Sequence, residues 1–123
     1  MLEVAENFFW PCEEGKGWEA CREFCHEGAT FKTDADTLKH LDKLEDYVEW
    51  MKEVHNMLTD VSFEIKGLAA DQERKVVLLY AVIKGKIALE NEIPQPTETD
   101  YVYSMTFEGD KIKHVTKIWY FNV

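Results

Sequence analysis

An α+β fold, with N-terminal helices packed on one face of a curved antiparallel sheet, is predicted by three features of the 123-residue chain. Apolar residues in the first half recur at helical spacing. The period drops to two beyond Thr59-Asp60, and two runs rich in aromatic and β-branched residues flank Glu108-Gly109-Asp110 near the C-terminus.

In the first segment Leu2, Ala5, Phe8, Phe9 and Cys12 make one helical stripe. Pro11 lacks an amide hydrogen and biases Trp10 away from helix, so this helix is expected to end or kink near Trp10. Glu13-Glu14-Gly15-Lys16-Gly17 reads as a turn, and Trp18, Cys21, Phe24 and Cys25 as the inward stripe of a second short helix that stops near Gly28. Ala29-Thr30-Phe31-Lys32 is a brief strand, followed by a polar connection through Asp34, Asp36 and Thr37. Asp42 with Glu45 reads as a capping arrangement for a third helix, whose face is marked by Leu44, Tyr47, Val48, Met51, His55 and Leu58.

The sheet begins where Val61, Phe63 and Ile65 alternate with Ser62, Glu64 and Lys66, as in a strand with one wet face. Val76 to Ile83 are nearly all apolar, which suits a central strand covered on both sides, joined to its predecessor by a turn at Ala70-Asp71-Gln72-Glu73. Glu90 to Thr99, with Pro94 and Pro96, reads as a loop forming a rim or lid. The closing hairpin has two possible registers. A three-residue turn groups Tyr101, Tyr103, Met105 and Phe107 with the Lys117 face, whereas a two-residue turn groups the tyrosines with His114 and Thr116; the first leaves the more apolar inner face.

Composition narrows the function. A hydrophobic fraction of 46% over this length suits one domain, residues 1–123, that buries a core without staples or metal. Lys and Arg number 14 against 24 Asp and Glu, and the formal charge of −10 disfavours nucleic acid and anionic membrane surfaces as partners. Three cysteines, Cys12, Cys21 and Cys25, an acidic start and no apolar run of about 20 residues make the cytoplasm the expected compartment. Cys21 and Cys25 lie one helical turn apart in an apolar stripe and read as core. Without a second ligand pair, a glycine-rich phosphate loop or a nucleophile elbow, neither metal nor cofactor is expected.

Four segments in order carry a resemblance: Gly17-Trp18, Phe24-Cys25-His26-Glu27-Gly28-Ala29-Thr30-Phe31, Leu44-Glu45-Asp46-Tyr47-Val48-Glu49-Trp50-Met51, and Gly109 through Trp119. Together they resemble the nuclear transport factor 2-like superfamily, in particular its SnoaL-like and ketosteroid-isomerase-like small proteins, over nearly the whole chain. The resemblance implies a cystatin-like α+β roll, a cone whose curved sheet and helices enclose an apolar cavity, and a homodimer formed through the outer sheet face. The superfamily includes isomerases, dehydratases, epoxide hydrolases, polyketide cyclases and binding proteins without chemistry, so activity must be argued from the site. In ketosteroid isomerases a carboxylate base lies just after the first strand. The matching position here is Thr33, with Asp34 next to it. SnoaL-like cyclases use an aspartate of the closing strand, and the corresponding position is Lys117. An ammonium cannot accept a proton unless burial or like charge lowers its pKa.

Candidate residues follow from these placements. Alternation groups Lys117 with Lys113, Val115 and Trp119, and the resemblance turns that face inward, where Lys117 would stabilise an enolate or oxyanion; the alternatives are a surface lysine or a pair with Asp100. Tyr103 is a candidate donor to a ligand carbonyl, and Asp34 or His55 a candidate proton carrier; His26 reads as a helix cap. Tyr47, Met51, Tyr101, Met105, Val115 and Trp119 are the expected walls of a substrate site. The function expected is a cofactor-independent isomerase, lyase or cyclase acting by proton transfer on an apolar, carbonyl-bearing small molecule. The alternatives are a ligand-binding protein without turnover and a dimeric interaction module.

Overall fold

A computed structural model describes residues 1–35, 38–87 and 95–119. Helix α1 (Leu2–Glu13) runs through Pro11 and ends three residues beyond the expected stop at Trp10. Proline removes only one donor, and the amides after it still find acceptors: Glu14 N donates to the Trp10 carbonyl at 2.9 Å and Lys16 N to the Pro11 carbonyl at 3.0 Å. Glu13, expected in a turn, is therefore the last helical residue, and it is buried.

Helix α2 (Trp18–Cys21) is shorter than expected and passes through a 3-10 turn at Arg22–Phe24 into strand β1 (Cys25–Thr33). The strand starts before Gly28 because Cys25 already pairs with Ile112 of the closing strand, and the sheet overrides the local helical pattern. His26, no longer at a helix end, shares a 2.7 Å hydrogen bond with the Glu108 carbonyl. Helix α3 (Leu44–His55) buries Leu44, Tyr47, Val48 and Met51, as its periodicity predicts. Its N-terminus lies at Lys43 without a side-chain cap, so the Asp42–Glu45 capping arrangement is not formed; the Asp42 carbonyl instead accepts the Phe31 amide at 2.9 Å.

Strands β2 (Leu58–Asp71), β3 (Val76–Ile87), β4 (Gln95–Glu108) and β5 (Lys111–Trp119) follow. The curved, unclosed sheet has the order β1-β5-β4-β3-β2, antiparallel from β2 to β5, with β1 joined parallel to β5. Leu58 thus opens a strand and is not part of the α3 face. Strand β3 is covered on both sides only in part: Val77, Leu79 and Ala81 are buried on the inner face and Val82 on the outer one, whereas Leu78 and Tyr80 are 51% and 39% exposed. The two-sided reading therefore holds at Val82 and fails at Leu78 and Tyr80. Residues 95–99, expected in a loop, already belong to β4, and the earlier part of that proposed rim lies outside the described residues, as do Asp36 and Thr37. No described helix is long and apolar enough to cross a membrane.

The closing hairpin combines the two expected registers. Glu108 pairs with Lys111 around a two-residue turn, in which Gly109 has a φ of +64°. Between Thr106 and Phe107 the register then shifts: Phe107 faces Ile112 while Thr106 faces His114, so Lys113 is the extra residue of a bulge. That insertion turns Val115, Lys117 and Trp119 inward with Met105, Tyr103 and Tyr101, their respective partners, and leaves Lys113 exposed and off that face. Deleting Lys113 is expected to reverse the faces of residues 114–119 and abolish cooperative unfolding in a denaturant titration, whereas Lys113→Ala should stay within about 0.5 kcal/mol of the parent.

Candidate functional site

The inner face of the sheet carries a polar cluster inside an otherwise apolar core. Glu13, at the end of α1, is 1% exposed. An ionised carboxylate in such a place must be fully hydrogen-bonded. Tyr101 and Tyr103, two residues apart and therefore on the same face of β4, provide the bonds: the Tyr101 hydroxyl donates to Glu13 Oε2 at 2.7 Å and the Tyr103 hydroxyl to Oε1. The Tyr103 oxygen is in turn bonded to the Tyr47 hydroxyl of α3, and Lys117 Nζ donates to Tyr47 at 2.9 Å.

Each phenol has a single proton, which gives the chain a direction. Tyr103 donates to Glu13, so Tyr47 donates to Tyr103 and accepts from Lys117. The result is a continuous path from the side-chain nitrogen of Lys117 on β5, through two phenols, to the carboxyl group of Glu13 at the end of α1.

Lys117 is 4% exposed, and its Cα faces Tyr103 on one side and Thr33 on the other. Its Nζ lies 4.1 Å from the ring centroid of Trp119 and 4.8 Å from that of Tyr101, with Tyr47 and Tyr103 at 5.4 and 5.5 Å. Thr33 holds this cage: its hydroxyl donates to the Lys117 carbonyl at 3.0 Å and accepts the Trp119 indole N–H at 3.2 Å. The Tyr47 ring is also stacked on Phe31, at 4.1 Å between centroids.

Burial sets the protonation of the cluster. It lowers the pKa of Lys117, an effect opposed by the charge of Glu13 and by Cys12. Burial, and then the Glu13 charge, hold Tyr47, Tyr101 and Tyr103 well above the usual phenol range. The same causes keep Cys12 a thiol, and burial first pushes Cys21 and Cys25 up to about 12. These cysteines are buried, unpaired core residues.

Of the residues singled out from sequence, Tyr47, Tyr101, Tyr103, Lys117 and Trp119 meet in this cluster, and Met51, Met105 and Val115 are buried in the surrounding core. The Lys117–Asp100 pair is not formed: Asp100 faces outward and accepts from Tyr80. Asp34 is exposed, because alternation along β1 turns Thr33 inward and its successor out. His55 packs on the turn after α1, where a Cβ at Gly15 would lie 2.7 Å from its own Cβ; no described hydrogen bond joins it to Tyr103 or Lys117. The carboxylate absent from both expected positions is Glu13. Its signal was its place four residues beyond Phe9, on the same helical stripe, masked by Pro11.

No protein-family model matches the chain, and no curated protein matches it in sequence. Solved structures match it in shape. AusH from Aspergillus nidulans superposes with a TM-score of 0.76 at 16% identity, over 99% of this chain and 84% of that one. A putative SnoaL-like polyketide cyclase from Jannaschia sp. CCS1 gives 0.75 at 12%, over 95% and 83%. The chain shares its fold with structures described as ketosteroid isomerase-like, SnoaL-like and NTF2-like. The epoxide hydrolase/cyclase-like enzyme SalBIII, of pyran ring formation in the polyether salinomycin, superposes with a TM-score of 0.72 at 20% identity, over 96% of this chain and 88% of that one.

Two outcomes are expected from the cluster. Glu13→Leu leaves Lys117 buried without its counter-charge and should cost about 3–5 kcal/mol in denaturant unfolding, while Glu13→Leu combined with Lys117→Met should cost less than the sum of the two single changes. Alkaline pH should destabilise the fold. The folded pKa values of the three thiols and three phenols are raised above ordinary values of 9.0 and 10.0, so their contribution is complete below those values and is lost as pH rises through and beyond them. Lys117, with its lowered pKa, acts in the opposite sense below 10.5, but it is one group against six. Unfolding midpoints measured from pH 8 to 11 should therefore fall, and fall less in Tyr101→Phe.

Proposed function

We propose that this protein is a cofactor-independent enzyme that moves a proton on a largely apolar, carbonyl-bearing small molecule, with Glu13 as the base. One observation carries the reading: a buried carboxylate is wired through two phenols to a buried lysine, at the centre of an aromatic-walled interior. The solved relatives in shape include a putative polyketide cyclase and an epoxide hydrolase/cyclase-like enzyme, which supports an enzyme-like role for such an interior.

In this reading the substrate carbonyl takes its place beside Lys117, whose Nζ keeps donors to spare beyond the one given to Tyr47 and donates to the oxygen as negative charge develops there. Glu13 accepts the proton from the adjacent carbon and returns it at the same or a conjugated position. The hydroxyls of Tyr101 and Tyr103 hold the carboxylate in position, so little reorganisation accompanies the transfer. Asp34 and His55 have no part in it. The proton-carrier role they were expected to fill belongs to Glu13, which shares the cluster with Tyr103.

The test is deuterium incorporation at the α-carbon of a panel of hydrophobic ketones in D2O, followed by proton NMR. The protein should accelerate exchange for at least one member, and Glu13→Gln should lower that rate by about 100-fold or more, the usual scale of general base catalysis. An exchange rate unchanged by Glu13→Gln, or binding of the ketones without any exchange, would refute the assignment.

A further inference from the structure

We propose that Lys117 is a covalent site, whose neutral amine adds to the carbonyl carbon of an apolar aldehyde or ketone and forms an imine. The inference deepens the preceding reading and rests on it for the class of ligand. It differs in what it asks of the lysine: a nucleophile, where a mere oxyanion partner would keep its charge.

Three observations favour it. The amine is confined between four aromatic rings and one phenol oxygen, with its Cα pinned in the sheet by strands on both sides, so only the side chain can move. The hydrogen-bond chain gives its proton somewhere to go. One proton advanced along each of three bonds, from Lys117 to Tyr47, from Tyr47 to Tyr103 and from Tyr103 to Glu13, converts ammonium and carboxylate into amine and carboxylic acid with both phenols still neutral. The nearest rings, Trp119 and Tyr101, finally, suit the product as well as the starting cation, because a protonated imine is also a cation that aromatic rings stabilise. Burial of Lys117 acts in the same direction, favouring the amine.

The step balances without a further reagent. The amine lone pair forms the C–N bond as the carbonyl π pair moves to oxygen. Oxygen then leaves as water, carrying one proton from nitrogen and one from the Glu13 carboxylic acid through the two phenols. Amine, carbonyl and carboxylic acid have become protonated imine, water and carboxylate. The protonated imine draws electrons from the neighbouring C–H bond, and Glu13, again a carboxylate, is the group placed to receive that proton; hydrolysis reverses the sequence and frees the lysine.

Reductive trapping tests it. The folded full chain is incubated at pH 7 with hexanal and sodium cyanoborohydride, and each lysine is followed by peptide mass spectrometry. An exposed lysine is neutral in roughly one molecule in a few thousand at this pH, so Lys117 should gain its alkyl adduct at least about ten-fold faster than any other lysine. Glu13→Gln, which removes the proton acceptor, should slow that labelling, and Lys117→Arg should abolish the fast-reacting site. Adducts spread over exposed lysines with Lys117 unmodified in the folded parent would overturn the proposal, whether or not either variant folds. The ketone exchange assay separates the two readings: exchange that depends on Glu13 without a Lys117 adduct leaves proton transfer standing and removes the imine, whereas an adduct without exchange does the opposite.

Discussion

A carboxylate buried at the end of the first helix is the constraint on which the rest of the structure depends. Glu13 tolerates exclusion from water only because Tyr101 and Tyr103 each give it a hydrogen bond from β4, 88 and 90 residues along the chain. That requirement fixes the phase of the central strand. The tyrosines must face inward, so their outward neighbours Val102 and Ser104 are left toward the opposite side. It fixes the closing strand too, because the bulge at Lys113 is what brings Lys117 opposite Tyr103 and supplies the compensating positive charge.

The cluster is costly as a stabilising device. Apolar side chains of similar volume would fill the same space with less desolvation. What the core retains is a carboxyl group, an amine and the phenols between them, joined by hydrogen bonds and shielded from bulk water. Its walls are fixed by neighbours with no chemistry of their own: Thr33 orients Trp119, and Phe31 stacks on Tyr47.

Most of the fold was legible in the sequence, because burial imposes periodicities of 3.6 and 2 that survive without any knowledge of partners. The limits of elements were less so. Pro11 signals a helix end by its local chemistry, yet tertiary packing carried the helix past it; the β1 pairing began inside a segment that reads as helix. For the site, the tyrosines and Lys117 were legible because polar residues interrupt a strongly apolar strand face. Glu13 was not, because a charge beside Glu14 and Gly15 has the composition of a turn, and its burial is decided by hydroxyls far away in sequence. The outer face of β3 misled in the reverse sense: Leu78 and Tyr80 are apolar yet exposed, and hydrophobicity alone does not say which side a helix covers.

The one-way order of the phenol protons has a consequence for any molecule admitted beside them. The array has an arrow, with surplus donors at Lys117 and surplus lone pairs at Glu13. A visitor bearing a lone acceptor oxygen is welcome only at the tail of the arrow, one that merely donates only at its head, and an alcohol, which does both, alone fits between two links without reversing the rest. Under the proposed function, the polarity of the wire would orient an otherwise greasy guest before any contact with its hydrocarbon part discriminated one end from the other.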